Sequence, residues 1–146
     1  MIEKLRFITS IMLGIAFLKI GIDHFLDPEW FEPIVPEILG SPRFWVLISG
    51  AAEIVIGIML ILPMTRKIGG NSCAILLILL YWANLNMWIN DIPIGGQNFE
   101  GRWHLLRLFI QILLICIALF IGGFFPNRDD SNEEIDGSKP LSKDLQ

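Results

Sequence analysis

The stretch FITSIMLGIAFLKIGIDHFLDP, residues 7 to 28, decides how this chain is read. Its first twelve positions carry no charge, and Thr9 and Ser10 are their only polar side chains. A helix rises about 1.5 Å per residue, so about 20 mostly apolar residues cross a bilayer. The run stops at Asp27-Pro28, a chain break for a helix because the proline ring disfavours helical backbone just before it. Lys19, Asp23 and His24 interrupt it first, and a membrane helix with polar side chains at depth calls for an explanation.

Three further stretches resemble it, so the spans fall at about 5–26, 44–62, 69–90 and 104–125. Pro63, Asp91 with Pro93, and Pro126 punctuate them. The composition agrees: 53% of residues are hydrophobic and only 18% charged, whereas soluble domains carry about 25% charged residues. The expected fold is all-α, an integral membrane four-helix bundle forming one domain over residues 1–126. Lys4 and Arg6 ahead of the first run suggest a cleavable signal. Lys19 inside the run and the lack of a small-x-small site after it favour a retained helix.

Basic residues in short loops set orientation. Lys4, Arg6, Arg66, Lys67 and Arg128 mark one side, against Arg43 and Arg102 on the other, which predicts cytoplasmic N and C termini. Trp30, Trp45, Trp88 and Trp103 fall at the opposite, outer ends, where indoles anchor helices in the interface. The expected location is the cell membrane, the inner one in a Gram-negative bacterium, crossed several times. Residues 127–146 hold six acidic and three basic residues and little to bury, which predicts a disordered acidic cytoplasmic tail. No basic patch offers a nucleic-acid footprint.

The polar residues within the spans share one half of the bundle. Lys19 lies about 10 Å and Asp23 about 5 Å below the outer end of the first span. Ser49 and Glu53 occupy the second, Asn84 and Asn86 the third, Arg107 and Gln111 the fourth. Lys19 with Asp23, and Arg107 with Gln111, have the i, i+4 spacing that stacks side chains on one face. Two cations against two carboxylates suggest one charge-balanced network around an outward-facing polar cavity. Such a network serves either as glue between helices or as a site for a ligand or partner. Four ionisable groups favour the site, since uncharged polar residues hold helices together at lower cost.

His24 and His104, at the outer ends of their spans, read as polar caps and not as a haem pair. Cys73 and Cys116 fit no metal or CxxC spacing and read as packing residues. No metal constellation, nucleotide loop or redox centre is present in the sequence, so no intrinsic cofactor is expected. Between the first two spans, DPEWFEPIVPEILGSP combines helix-breaking Pro33 and Pro36 with apolar Trp30 and Phe31. It is expected to lie flat in the interface or to close over the outer mouth as a lid.

The runs GIDHFLDPEWFEPIVPEIL and ISGAAEIVIGIMLILPMTRKIG resemble the DoxX-like family of small four-helix membrane proteins, through His-Phe followed by Pro-x-x-Phe, then I-V-P, S-G-x-x-E-I and Pro-x-T-R. The likeness extends over about residues 7–123. It weakens in the second half, where Trp82-Ala83-Asn84 stands for the family's Pro-Ala-Asn. Arg107 and Gln111 retain the ends of its Arg-x-Pro-x-Gln without the proline. The resemblance implies either a membrane subunit or scaffold that holds a lipid or quinone or docks a partner, or a quinone-interacting subunit of a membrane oxidoreductase complex. The partners implied are membrane lipids, a redox protein or further copies of this chain.

Overall fold

The computed structural model describes residues 1–93 and 100–124; the acidic tail expected at 127–146 lies outside the described residues. The chain runs through α1 (Ile2–Leu26), the single turn α2 (Pro28–Phe31), α3 (Pro42–Ile61), α4 (Arg66–Ile89) and α5 (Gly101–Gly122). Two 3-10 turns, Glu32–Ile34 and Glu37–Leu39, lie between α2 and α3. The long helices α1, α3, α4 and α5 are each long and apolar enough to cross a membrane. They expose Ile15, Ile58, Ile75 and Leu113 on their outer faces. Apolar side chains facing both inward and outward are what a lipid solvent selects, so this is an all-α membrane bundle.

The helices differ from the expected spans mainly by a few residues at their starts. Pro42 occupies the first turn of α3, where its missing N–H costs nothing, and Arg66 and Lys67 begin α4 instead of preceding it. At the other end α5 stops before Pro126, because Gly123 takes a left-handed conformation at φ 80° and caps Leu119 and Phe120 carbonyls.

Small residues decide which helices pair. A Cβ on Gly14 would lie 2.9 Å from the carbonyl oxygen of Gly57, and one on Gly21 would lie 2.7 Å from that of Gly50. The antiparallel backbones of α1 and α3 therefore nearly touch. The pair α4 and α5 does the same at Gly70, where a Cβ would meet Gly122 N at 2.5 Å and Ala118 O at 2.7 Å. Leu13, Phe17, Ile56, Leu60, Cys73 and Ile121 fill the space between the two pairs, together with Leu77 and two alanines.

That core lies toward the end where α1 begins and α5 finishes. Arg6 closes this basic end: it is buried, donates from Nε to Phe120 O at 3.0 Å and pairs with Glu3 at 2.9 Å. Arg66 lies 4.9 Å above the Phe7 ring. The Ser10 hydroxyl donates to the Leu60 carbonyl nearby. At the opposite end residues 28–39 lie against α3 and α4. Asn86 Nδ2 donates to Ile34 O at 3.1 Å and Trp45 Nε1 to Leu39 O at 2.9 Å, so α4 and α3 each hold one 3-10 turn of the lid.

Candidate functional site: a cleft beneath the lid

On α1 the positions Ser10, Leu13, Phe17, Gly21 and His24 recur every three or four residues and form the buried face. Val46, Gly50, Glu53, Ile56 and Leu60 do the same on α3. The tight glycine crossing brings these faces together, and His24 Nδ1 approaches Glu53 Oε2 to 2.7 Å. Both side chains are more than nine-tenths buried. The two atoms are each other's polar neighbour without the alignment of a linear hydrogen bond, and neither has another partner. Such a pair keeps an imidazole and a carboxyl group together away from water, and removing either member would strand the other.

Beside the pair lies a cleft of about 490 Å³, bounded by the lid, α3, α4 and His24. Phe31, Ile34, Val35, Pro36 and Leu39 form its lid wall. Its remaining polar side chains are Ser49, from the same helix as Glu53, and the indoles of Trp45 and Trp82. Trp45, Ile48, Leu79 and Trp82 line it and are also exposed on the surface of the bundle, so it opens sideways between α3 and α4. The Phe31 ring sits 4.0 Å from the His24 ring, which ties the lid to the buried pair. Trp30 packs edge-on against Phe31 at 4.7 Å. Pro36 is buried whereas Pro33 is exposed.

The expectation of one polar network is corrected. Lys19 pairs with Asp23 at 2.5 Å and not with Glu53; their side chains remain 75% and 38% exposed, on the face of α1 turned away from the bundle. The reason is rotation: two residues past Phe17, Lys19 is about 200° around the helix from the buried stripe. Asp23 instead borders a separate hollow of about 310 Å³ outside the lid, with Asp27 and Trp30. Arg107 and Gln111 serve the other helix pair. Arg107 Nη1 lies 2.9 Å from Met87 Sδ, and Gln111 Nε2 donates to Leu77 O at 2.5 Å. Among the described residues Asn84 has no side-chain partner, whereas its neighbour Asn86 holds the lid. The cleft is accordingly apolar and lateral, not polar and outward-facing.

Both histidines also depart from their reading as interfacial caps, since His24 and His104 are buried. His104 stacks on Trp88 with ring centroids 5.6 Å apart and planes 4° from parallel. Cys73 packs in the core as expected, but Cys116 is exposed on α5. The residues that sequence reasoning missed are His24 as the partner of Glu53, and Arg6, read there as a topology signal alone. The glycine spacing was the available signal for the first: Gly14 and Gly21 are seven residues apart on α1, as are Gly50 and Gly57 on α3. Aligning them antiparallel brings His24 beside Gly50, three residues before Glu53.

Fold and cleft together define a small four-helix membrane protein with a covered cavity at one end. The chain belongs to the family described as Domain of unknown function (DUF8561), whose model matches residues 13–122. It is also 28% identical over 119 residues to the Uncharacterized membrane protein Rv3486 of Mycobacterium tuberculosis, covering 77% of this chain and 71% of that protein. No solved structure matches.

Proposed function

We propose that this protein is a non-catalytic membrane subunit or scaffold that shelters one lipid-like or quinone-like molecule beneath the lid. The observation that carries this reading is the cleft itself. Binding sites for small molecules are concave, mostly apolar and equipped with a few polar groups that fix orientation. Here about 490 Å³ of largely apolar space has His24, Ser49 and the indoles of Trp45 and Trp82 in its walls. The lateral opening suits a ligand that arrives from the bilayer. The resemblance to DoxX-like proteins supports the same reading, with the cell membrane as the location and the basic end in the cytoplasm. A reporter fused after Gln146 is then active only in the cytoplasm.

The decisive experiment is gentle purification from native membranes, followed by mass spectrometry of the lipids and proteins that remain bound. Wild type is expected to retain one apolar molecule in stoichiometric amount. Ala52→Phe, which fills the cleft from α3, loses that molecule while melting at the same temperature or higher. Equal retention by both proteins would remove the cleft from consideration.

A second reading, a quinone-interacting subunit of an oxidoreductase complex, is favoured by the His24–Glu53 pair, whose imidazole lines the cleft and could exchange a proton with an occupant. Lys19 and Asp23 have no place in it, being on the outer face of α1. A redox protein that co-purifies in equal amount would favour this reading over a scaffold.

A further inference from the structure

Phe31 belongs to two cavities. It lines the cleft of about 490 Å³ and also the hollow of about 310 Å³ outside the lid, beside Asp23, Asp27 and Trp30, and it is the residue the two linings share. The segment that carries it is one piece with a joint at each end. Glu32 N–H donates to Pro28 O, so α2 runs on into the first 3-10 turn. Asp27, just before Pro28, leaves helical geometry at φ −139° and ψ 66°. Val35, just before Pro36, is extended at φ −70° and ψ 125°. Neither proline has an N–H with which to bridge its joint, and among the described residues no backbone hydrogen bond joins the first 3-10 turn to the second. Each turn is held by its own helix: Ile34 O accepts from Asn86 Nδ2 on α4 at 3.1 Å, and Leu39 O from Trp45 Nε1 on α3 at 2.9 Å. Asn90 Nδ2 donates to Asn86 Oδ1 at 2.8 Å, which orients the Asn86 amide with its nitrogen toward Ile34. The remaining ties of the first piece are looser, with Arg43 3.8 Å from Glu32 and the Phe31 ring against that of His24.

We propose that residues 28–34 are a flap that swings on these two joints, with Phe31 as the gate between the outer hollow and the cleft and Asn86 as the latch; this deepens the reading of the cleft as a binding site. When the Asn86 bond breaks, the flap turns away from α4 and Phe31 leaves the shared wall, which joins the hollow to the cleft. Residues 36–39 stay in place, tied to α3 by Trp45. The hollow carries two carboxylates, Asp23 and Asp27, so this entrance is wet, whereas the lateral opening between α3 and α4 faces lipid. One hydrogen bond sets a local opening equilibrium within about three- to tenfold and leaves global unfolding almost untouched.

The test uses the full-length protein in vesicles, with Ser49→Cys as a reporter in the cleft wall and a charged, membrane-impermeant thiol reagent on both faces. Modification at position 49 is followed by mass spectrometry, which reads Cys73 and Cys116 separately. Asn86→Asp keeps the shape of the side chain and its acceptor for Asn90 but removes the donor to Ile34. It is expected to speed labelling about three- to tenfold, and Phe31→Ala to speed it as well. Amide exchange at Glu32 and Val35 rises with it in Asn86→Asp, while exchange at Leu39 and Gly40 and the melting temperature stay near wild type. Trp45→Phe does the reverse, loosening Leu39 and Gly40 alone. Labelling at the wild-type rate in both Asn86→Asp and Phe31→Ala overturns the gate. Exchange that rises equally in both turns overturns the flap, because the lid then moves as one body. Neither readout uses a bound molecule, so this outcome is distinct from whether the cleft retains a lipid.

Discussion

The two ends of the bundle are made from the same four apolar helices and differ in what occupies the space between them. At the basic end, Gly70 against Gly122 and Gly14 against Gly57 let backbones meet, and Leu60, Cys73, Ala118 and Ile121 fill the remainder with nothing exposed. At the lid end α1 and α3 still touch at Gly21 and Gly50, but the gap between α3 and α4 is covered by a proline-rich strap instead of being filled. Polar groups follow the same division. Arg6 and Ser10 at the basic end each donate to a backbone carbonyl of another helix, whereas His24 at the lid end faces a buried carboxylate and a cavity. One end is closely packed and the other leaves room.

Substitutions should separate the two ends, beginning with the largest effect. Glu53→Leu strands the His24 imidazole among apolar groups, and breaking a buried pair costs about 3–5 kcal/mol. Thermal unfolding in detergent is expected to show this loss, and His24→Leu combined with Glu53→Leu to recover much of it. A double variant as unstable as the single would mean that the pair does not act as a unit.

Gly70→Val tests the closed end. The added carbon would fall 2.5 Å from Gly122 N, a backbone atom that has nowhere to move, and overpacking of this sort costs about 1–3 kcal/mol. Unfolding should be affected but lipid retention per folded molecule should not. A loss of retained lipid without a drop in melting temperature would contradict the division of labour between the ends.

Gly40→Ala tests the strap. Gly40 holds φ 62° and ψ −162°, a region nearly confined to glycine, yet a Cβ there would touch nothing. The cost is therefore backbone strain alone, about 1–3 kcal/mol, felt where the lid returns to α3. Faster proteolysis within residues 28–41 at a nearly unchanged global melting temperature is the expected result.

Lys19→Leu should do least. An exposed ion pair contributes about 0–1 kcal/mol, and Lys19 is 75% exposed. A melting temperature within a degree or two of wild type is expected; a large drop would restore Lys19 to a buried network and undo the separation of the outer face from the cleft.

The sequence by itself determined the membrane class and the four spans to within a few residues, because hydropathy and proline chemistry act over short distances along the chain. It also gave the depth of every polar residue, since depth is a count of residues from a helix end. Rotation about the helix axis and the choice of helix partner are tertiary quantities. Lys19 and His24 differ by only five residues in the sequence, yet one faces outward and the other meets Glu53. Glycines decided this by fixing how closely α1 and α3 approach and in which register. The cleft depends on tertiary structure still more fully, because it exists where α3, α4 and the lid fail to fill the space between them, and an unfilled space has no residue to announce it.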